Sequence, residues 1–349
     1  MPTTYAIPNG ATQFAATIYT GNGTSQTVTN GASTSGVTFQ PDFIWGKNRS
    51  TATSNVIVDS VRGANIFLQL NSSAQETTNA QVVSAFTSTG FSLGNEATLN
   101  GSTNLEVAWQ WKASNSTAVS NTAGSITSQV SANQTAGFSI VSYTGTGANA
   151  TVGHGLGNTP KMIFIKNRDN AAVGGAVYHV STGATKYLQL FQTTTGDAAA
   201  TTDNTAWNGG SPTFNNNVFS VGALNRTNSA QQMIAYCWAE IAGFSKFGSY
   251  TGDTTNLPFV YLGFRPRWVM IKRDATSNWR ILDTSRSTFN VQSLELYPNL
   301  VNSEGTFAAI DSLSNGFKIR NTDASYNATG GTYLYAAFAE NPFKYANAR

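Results

Sequence analysis

Apolar residues in this chain fall in short runs of 4 to 8, rich in Ile, Val, Phe, Tyr and Trp, with clusters of Gly, Asn, Asp, Thr and Ser between them. Runs of that length bounded by turn residues predict β-strands. Phe164-Ile165 and Trp268-Val269-Met270-Ile271 are continuous and predict strands buried on both faces, whereas Leu68-Gln69-Leu70 alternates like a half-exposed strand. No segment keeps helical spacing over three turns behind a cap, so any helix is expected to be short. The pattern predicts antiparallel β-sandwiches of jelly-roll type.

The pattern also recurs. Tyr-Thr-Gly begins at Tyr19, Tyr143 and Tyr250, preceded by Phe14, Phe138 and Phe247. A Pro then opens an apolar run that meets a Lys six positions on: Pro41 to Lys47, Pro160 to Lys166, Pro266 to Lys272. A second run ends near Asp59, His179 or Asp283, and a Leu-x-Leu follows at Leu68, Leu188 and Leu294. Phe91, Phe219 and Phe317 open a further run, and an aromatic strand closes each set at Trp111, Trp238 or Phe338. Landmarks in one order at similar offsets mark an internal repeat of about a hundred residues. The expectation is an all-β chain of three tandem diverged antiparallel β-sandwich modules, 1–113, 137–242 and 243–349. Residues 114–136, nearly all Ser, Thr, Ala, Asn, Gln and Gly, are expected to form an extended connector with little regular structure. The three proline strands should begin equivalent strands that send apolar side chains into three separate cores. Glycines in Gly21-x-Gly23 and Gly145-x-Gly147 read as turn residues needing positive φ.

Composition narrows the function more than it defines it. Charged residues are 11% of the 349, with a formal net charge of +3, and no Lys or Arg run exceeds Lys272-Arg273, which disfavours nucleic-acid binding. No stretch approaches the roughly 18 apolar residues of a spanning helix. Residues 1–10 lack the basic start and apolar run of a signal peptide. Cys237 is the only cysteine, so neither an internal disulfide nor a cysteine-based zinc site is available, and it reads as a core residue.

Candidate chemistry is thin. His154, in Val-Gly-His-Gly-Leu-Gly, reads as a solvated turn residue, and His179 as a polar partner for backbone or an Arg. Asp59 with Arg62, and Asp283 with Arg286, are spaced as local ion pairs that pin a turn. Lys47, Lys166 and Lys272 read as charged ends that blunt a strand or reach solvent. No pair of acids is nominated for glycoside cleavage, and nucleophile elbows, zinc spacings and calcium loops are absent. No catalytic, cofactor or metal residue is expected, and any ligand-binding residues are not identified.

Four segments carry a resemblance over essentially the full length: Phe14 to Gly23 (FAATIYTGNG), Gly124 to Gly147 (GSITSQVSANQTAGFSIVSYTGTG), Phe244 to Gly252 (FSKFGSYTG) and Phe338 to Arg349 (FAENPFKYANAR). In these the chain resembles a family of tailed-bacteriophage structural proteins, frequent in marine phages and often labelled tail-fibre or virion proteins. The resemblance implies a virion component with no catalytic residue and no cofactor to carry over. The first module departs from the others by placing Gln110 where the second has Cys237. The expected function is a non-enzymatic structural protein on the particle exterior, a capsid decoration or other firmly docked protein. Its partners would be major capsid protein or tail components, without nucleic acid or membrane, and self-association is left open. The alternatives are a tail-fibre or adhesin module that contacts host-surface glycans and, third, a glycan depolymerase.

Overall fold

The computed structural model describes residues 7, 9–31, 36–194, 196–208 and 210–340. Among them the chain is almost entirely antiparallel β-structure, and its three α-helices are single turns, Ala97–Asn100, Asn225–Asn228 and Ala324–Asn327, beside a 3-10 turn at Gly10–Thr12.

Three larger sheets carry the architecture. In the first, strand Phe14–Thr20 pairs with the closing strand Leu105–Trp111, which pairs with Phe43–Asn48, and Val56–Asp59 follows on the far side. The second runs Phe138–Thr144, Gln232–Ala239, Pro160–Asn167, Gly175–His179 in the same order. The third runs Ser245–Thr251, Thr332–Ala339, Pro266–Arg273, Arg280–Asp283. Pro160 and Pro266 are first residues of their strands, and Pro41 stands two residues before Phe43. A prolyl nitrogen has no ladder hydrogen to donate, which explains the shared edge-of-strand position. A smaller sheet covers the outer face of each larger one: Gln26–Thr29 with Gly90–Leu93 and Ala85–Thr87, Ala150–Gly153 with Val218–Val221, and Phe259–Tyr261 with three further strands. Leu294 lies in this last outer sheet, unlike Leu68 and Leu188, which extend the larger sheets.

The continuous apolar runs are explained by what lies on either side. In Phe43–Asn48, Ile44 packs outward with Val28, Val58, Phe91 and Ala108 against the small sheet. Phe43 and Trp45 point the other way, into a core that the three larger sheets share. That core joins Phe14, Trp109 and Trp111 to Phe138, Phe164 and Trp238, and to Trp268, Leu334 and Phe338. Ring centroids are 6.0 Å apart for Trp111 and Trp238, 5.4 Å for Trp111 and Phe338, and 5.7 Å for Trp111 and Trp268. The expectation of three separate cores is therefore corrected. Each sandwich keeps a core of its own, and a fourth, aromatic one lies between them. Alternating side chains of a strand point to opposite faces, so one apolar run serves both.

The segment 114–136 also departs from expectation. It holds strands Val119–Asn121 and Ser128–Asn133, and the second of these pairs with Phe138 to Tyr143 of strand Phe138–Thr144. Val130 is buried there between small residues, Ser128 and Ser131, so the segment lies flat against its neighbours. Covering that edge satisfies backbone groups that would otherwise face solvent.

Candidate functional site

The Tyr-Thr-Gly landmark and an Asn near the helical turn form one device in each large sheet. The hydroxyl of Tyr19 donates to Leu99 O (2.9 Å), that of Tyr143 to Thr227 O (2.5 Å) and that of Tyr250 to Tyr326 O (2.7 Å). The next residue, Asn100, Asn228 or Asn327, is buried, and its side-chain oxygen accepts from the backbone of Asn22, Thr146 or Asp253. The Tyr-Thr-Gly glycine is required by contact. A Cβ on Gly21, Gly145 or Gly252 would stand 2.0 to 2.2 Å from a carbonyl oxygen of the partner turn. Positive φ belongs instead to Gly23 and Gly147, both at 71°. The three asparagines were missed in the sequence, although each follows its Tyr landmark by 77 to 85 residues.

The recurring charges are spent between sheets. Lys47 Nζ donates to Thr53 O (2.6 Å) and, in the third sandwich, Val301 O (2.9 Å). Lys166 Nζ donates to Val173 O (2.6 Å) and, in the first, Ser73 O (3.0 Å). Lys272 Nζ donates to Arg273 O (2.6 Å) and Ala275 O (2.9 Å) and reaches Asp197 O (3.4 Å) in the second. All three lysines are buried, contrary to the reading that they end strands in solvent. Burial pulls each ammonium pKa down to about 8. Two positions beyond two of these lysines, Arg49 pairs with Glu304 (2.8 Å) and Arg168 with Glu76 (2.8 Å).

Asp59 and Asp283 do pin turns, as expected. Each accepts from the arginine Nε three residues on, at 2.5 Å (Arg62) and 2.6 Å (Arg286), and from backbone N–H groups of the same turn. They also take a donor from a neighbouring sheet, Tyr236 Oη on Asp59 (2.8 Å) and Trp109 Nε1 on Asp283 (3.0 Å). His179 stands at the matching place and bridges to Tyr335 O (3.1 Å), while its Nδ1 accepts from Ser181 N (3.2 Å). His154 is fully buried, not solvated: Nε2 faces Asn215 O (3.0 Å) and Nδ1 accepts from Leu156 N (3.2 Å). Burial lowers both imidazole pKa values to about 4, so both rings are neutral, each fixed as the Nε2–H tautomer by its neighbours. Cys237 is buried opposite Ser139, and burial pushes its thiol far up, away from the thiolate that nucleophilic chemistry needs. Among the described residues no group of three or more His, Cys, Asp or Glu side chains could hold a metal ion. No described helix is long and apolar enough to cross a membrane.

One polar cavity of 670 Å³ opens where the connecting hairpin meets the first sheet. Gln40, Asp42, Ser60 and Val61 line it from the segments just before Phe43 and just after Asp59; Asn115, Ser116, Thr117, Ala118 and Gln129 line it from the hairpin, and Ser142 from strand Phe138–Thr144. Asp42 is 1% exposed. It accepts from Ser60 Oγ (2.7 Å), Ala113 N (2.7 Å) and Asn115 N (3.1 Å). Burial raises its carboxyl pKa against these bonds.

Residues 9–342 match the model of a domain of unknown function, DUF7483, and the chain belongs to that family. No curated protein and no solved structure matches the chain.

Proposed function

Starting from that membership, we propose that the chain is a non-enzymatic structural protein of a phage particle, docked firmly on its exterior against capsid or tail proteins. The three sandwiches read as diverged copies of one module closed into a compact ring. One observation supports this reading most: the recurring charged groups, Lys47, Lys166, Lys272 and the Asp–Arg turns, are buried and bonded to protein partners. An enzyme keeps such groups accessible and aimed at a reacting atom; here they tie sheets together. The resemblance of the sequence to phage structural proteins supplies the particle. Gold-labelled antibody against the purified chain should decorate intact particles from a culture whose phage carries the gene. Recovery of the chain solely in the particle-free fraction would overturn the docking. Purified protein incubated with host surface polysaccharide should release no reducing ends, and saturable release would overturn the non-enzymatic reading.

A further inference from the structure

We propose that the cavity beside Asp42 is a binding site for a neutral oligosaccharide. Its volume of 670 Å³ lies within the range of roughly 300 to 1,000 Å³ typical of small-ligand sites. The lining excludes most other ligand classes. No Lys, Arg or His lines it, the Arg168 guanidinium that reaches Ser142 Oγ (3.2 Å) being already paired with Glu76, and it has no aromatic ring and only Val61 and Ala118 as apolar side chains. Asp42, with its oxygens already bonded, would repel an anion without offering an open carboxylate to a cation. What remains are the amides of Gln40 and Gln129, the Thr117 hydroxyl, and the hydroxyls of Ser60, Ser116 and Ser142, which keep acceptor lone pairs beside their bonds to Asp42, Ser114 and Arg168. Amides and hydroxyls both donate and accept, as the hydroxyls of an uncharged sugar do.

The rim is also held in shape before any ligand arrives. Asp42 fixes the backbone at Ala113 and Asn115, and Asn115 is held at a φ of 55°. Ser114 and Ser131 join the two arms of the segment through their hydroxyls at 2.7 Å. Fixing these loops in advance lowers the entropy lost on binding. The cavity exists at this junction because the 114–136 hairpin builds one wall, whereas the second and third sheets are joined by only residues 240–244. It is thus the place where the ring departs from its own regularity, and the inference goes beyond a docking role.

Saturation-transfer NMR of the full chain, with neutral trisaccharides of glucose, galactose, mannose and N-acetylglucosamine, tests the assignment. A sulfated trisaccharide and an uncharged tripeptide serve as probes of other classes. Gln129, on the exposed side of its strand, is replaced in Gln129→Trp to fill the cavity, with Thr117→Trp as a second obstruction and exposed Thr78→Trp as a distant control. At least one neutral trisaccharide should bind at concentrations below about 10 mM, an affinity of roughly 3 kcal/mol. Both obstructing variants should weaken it tenfold or more while Thr78→Trp leaves it unchanged. No neutral saccharide binding, binding insensitive to both obstructions, or binding of only the sulfated or peptide probe would overturn it.

Discussion

At the scale of single residues, burial decides what the ionisable groups do. His154 and His179 are neutral in the fold, with pKa values of about 4 against 6.5 in a free chain. The unfolded state then binds the proton first as pH falls, so each ring contributes stability that is present above pH 6.5 and is lost between 6.5 and 4. Urea titrations of wild type and of His154→Asn should diverge in that window. The variant's stability should fall less steeply with acid, the difference reaching roughly 3 kcal/mol by pH 4; parallel curves would mean that His154 is solvated after all. Asp59 makes a different prediction, since Asp59→Asn takes from the buried Arg62 the carboxylate bonded to its Nε and leaves it only Glu76, at 3.5 Å. Chemical denaturation should show a loss of about 3 kcal/mol, and Asp283→Asn a smaller one, because Arg286 keeps its pair with Glu304 at 2.9 Å. His179→Asn, which strands no charge, should cost less. These distinctions were only partly readable in the chain. The three-residue spacing identified the Asp–Arg turns. The inward turn of a lysine ending an apolar run was not readable, because besides nearby carbonyls each takes one far away in sequence, at Val301, Ser73 or Asp197.

Elements were the most legible level. Runs of β-branched and aromatic residues between turn clusters located the strands, the closing aromatics lie on the strands they marked, and Pro160 and Pro266 begin theirs, whereas Pro41 stands two residues ahead of its strand. The glycine of Tyr-Thr-Gly was recognised as special for the wrong reason. Its constraint is a carbonyl from a turn some 80 residues on, invisible to any local rule. Gly145→Ala would place Cβ 2.0 Å from Ser229 O, so backbone must move to accept it. Thermal denaturation should register a loss of about 2 kcal/mol or more, whereas Gly183→Ala, with open space at its Cβ, meets only the strain of its positive φ and should cost about 1 kcal/mol. The 114–136 segment misled in the opposite sense. Small polar side chains suggest a connector, but a strand on the edge of a sheet needs few large ones when its backbone supplies the pairing.

For the whole molecule, the aromatic centre matters most. A run of apolar residues announces a strand buried on both faces without saying what buries each face, so three separate cores were expected and the fourth, shared one was not. Trp238 is 1% exposed and contacts Trp111, Phe43 and Phe164. Trp238→Ala should therefore weaken all three sandwiches together by about 3 to 5 kcal/mol, in place of a selective loss of the second. Scanning calorimetry of the full chain, wild type and Trp238→Ala, tests this most directly. One transition is predicted for each protein, with calorimetric and van 't Hoff enthalpies equal and the variant's whole transition displaced to lower temperature. Two or three resolved transitions, with only one of them displaced by Trp238→Ala, would contradict a shared core.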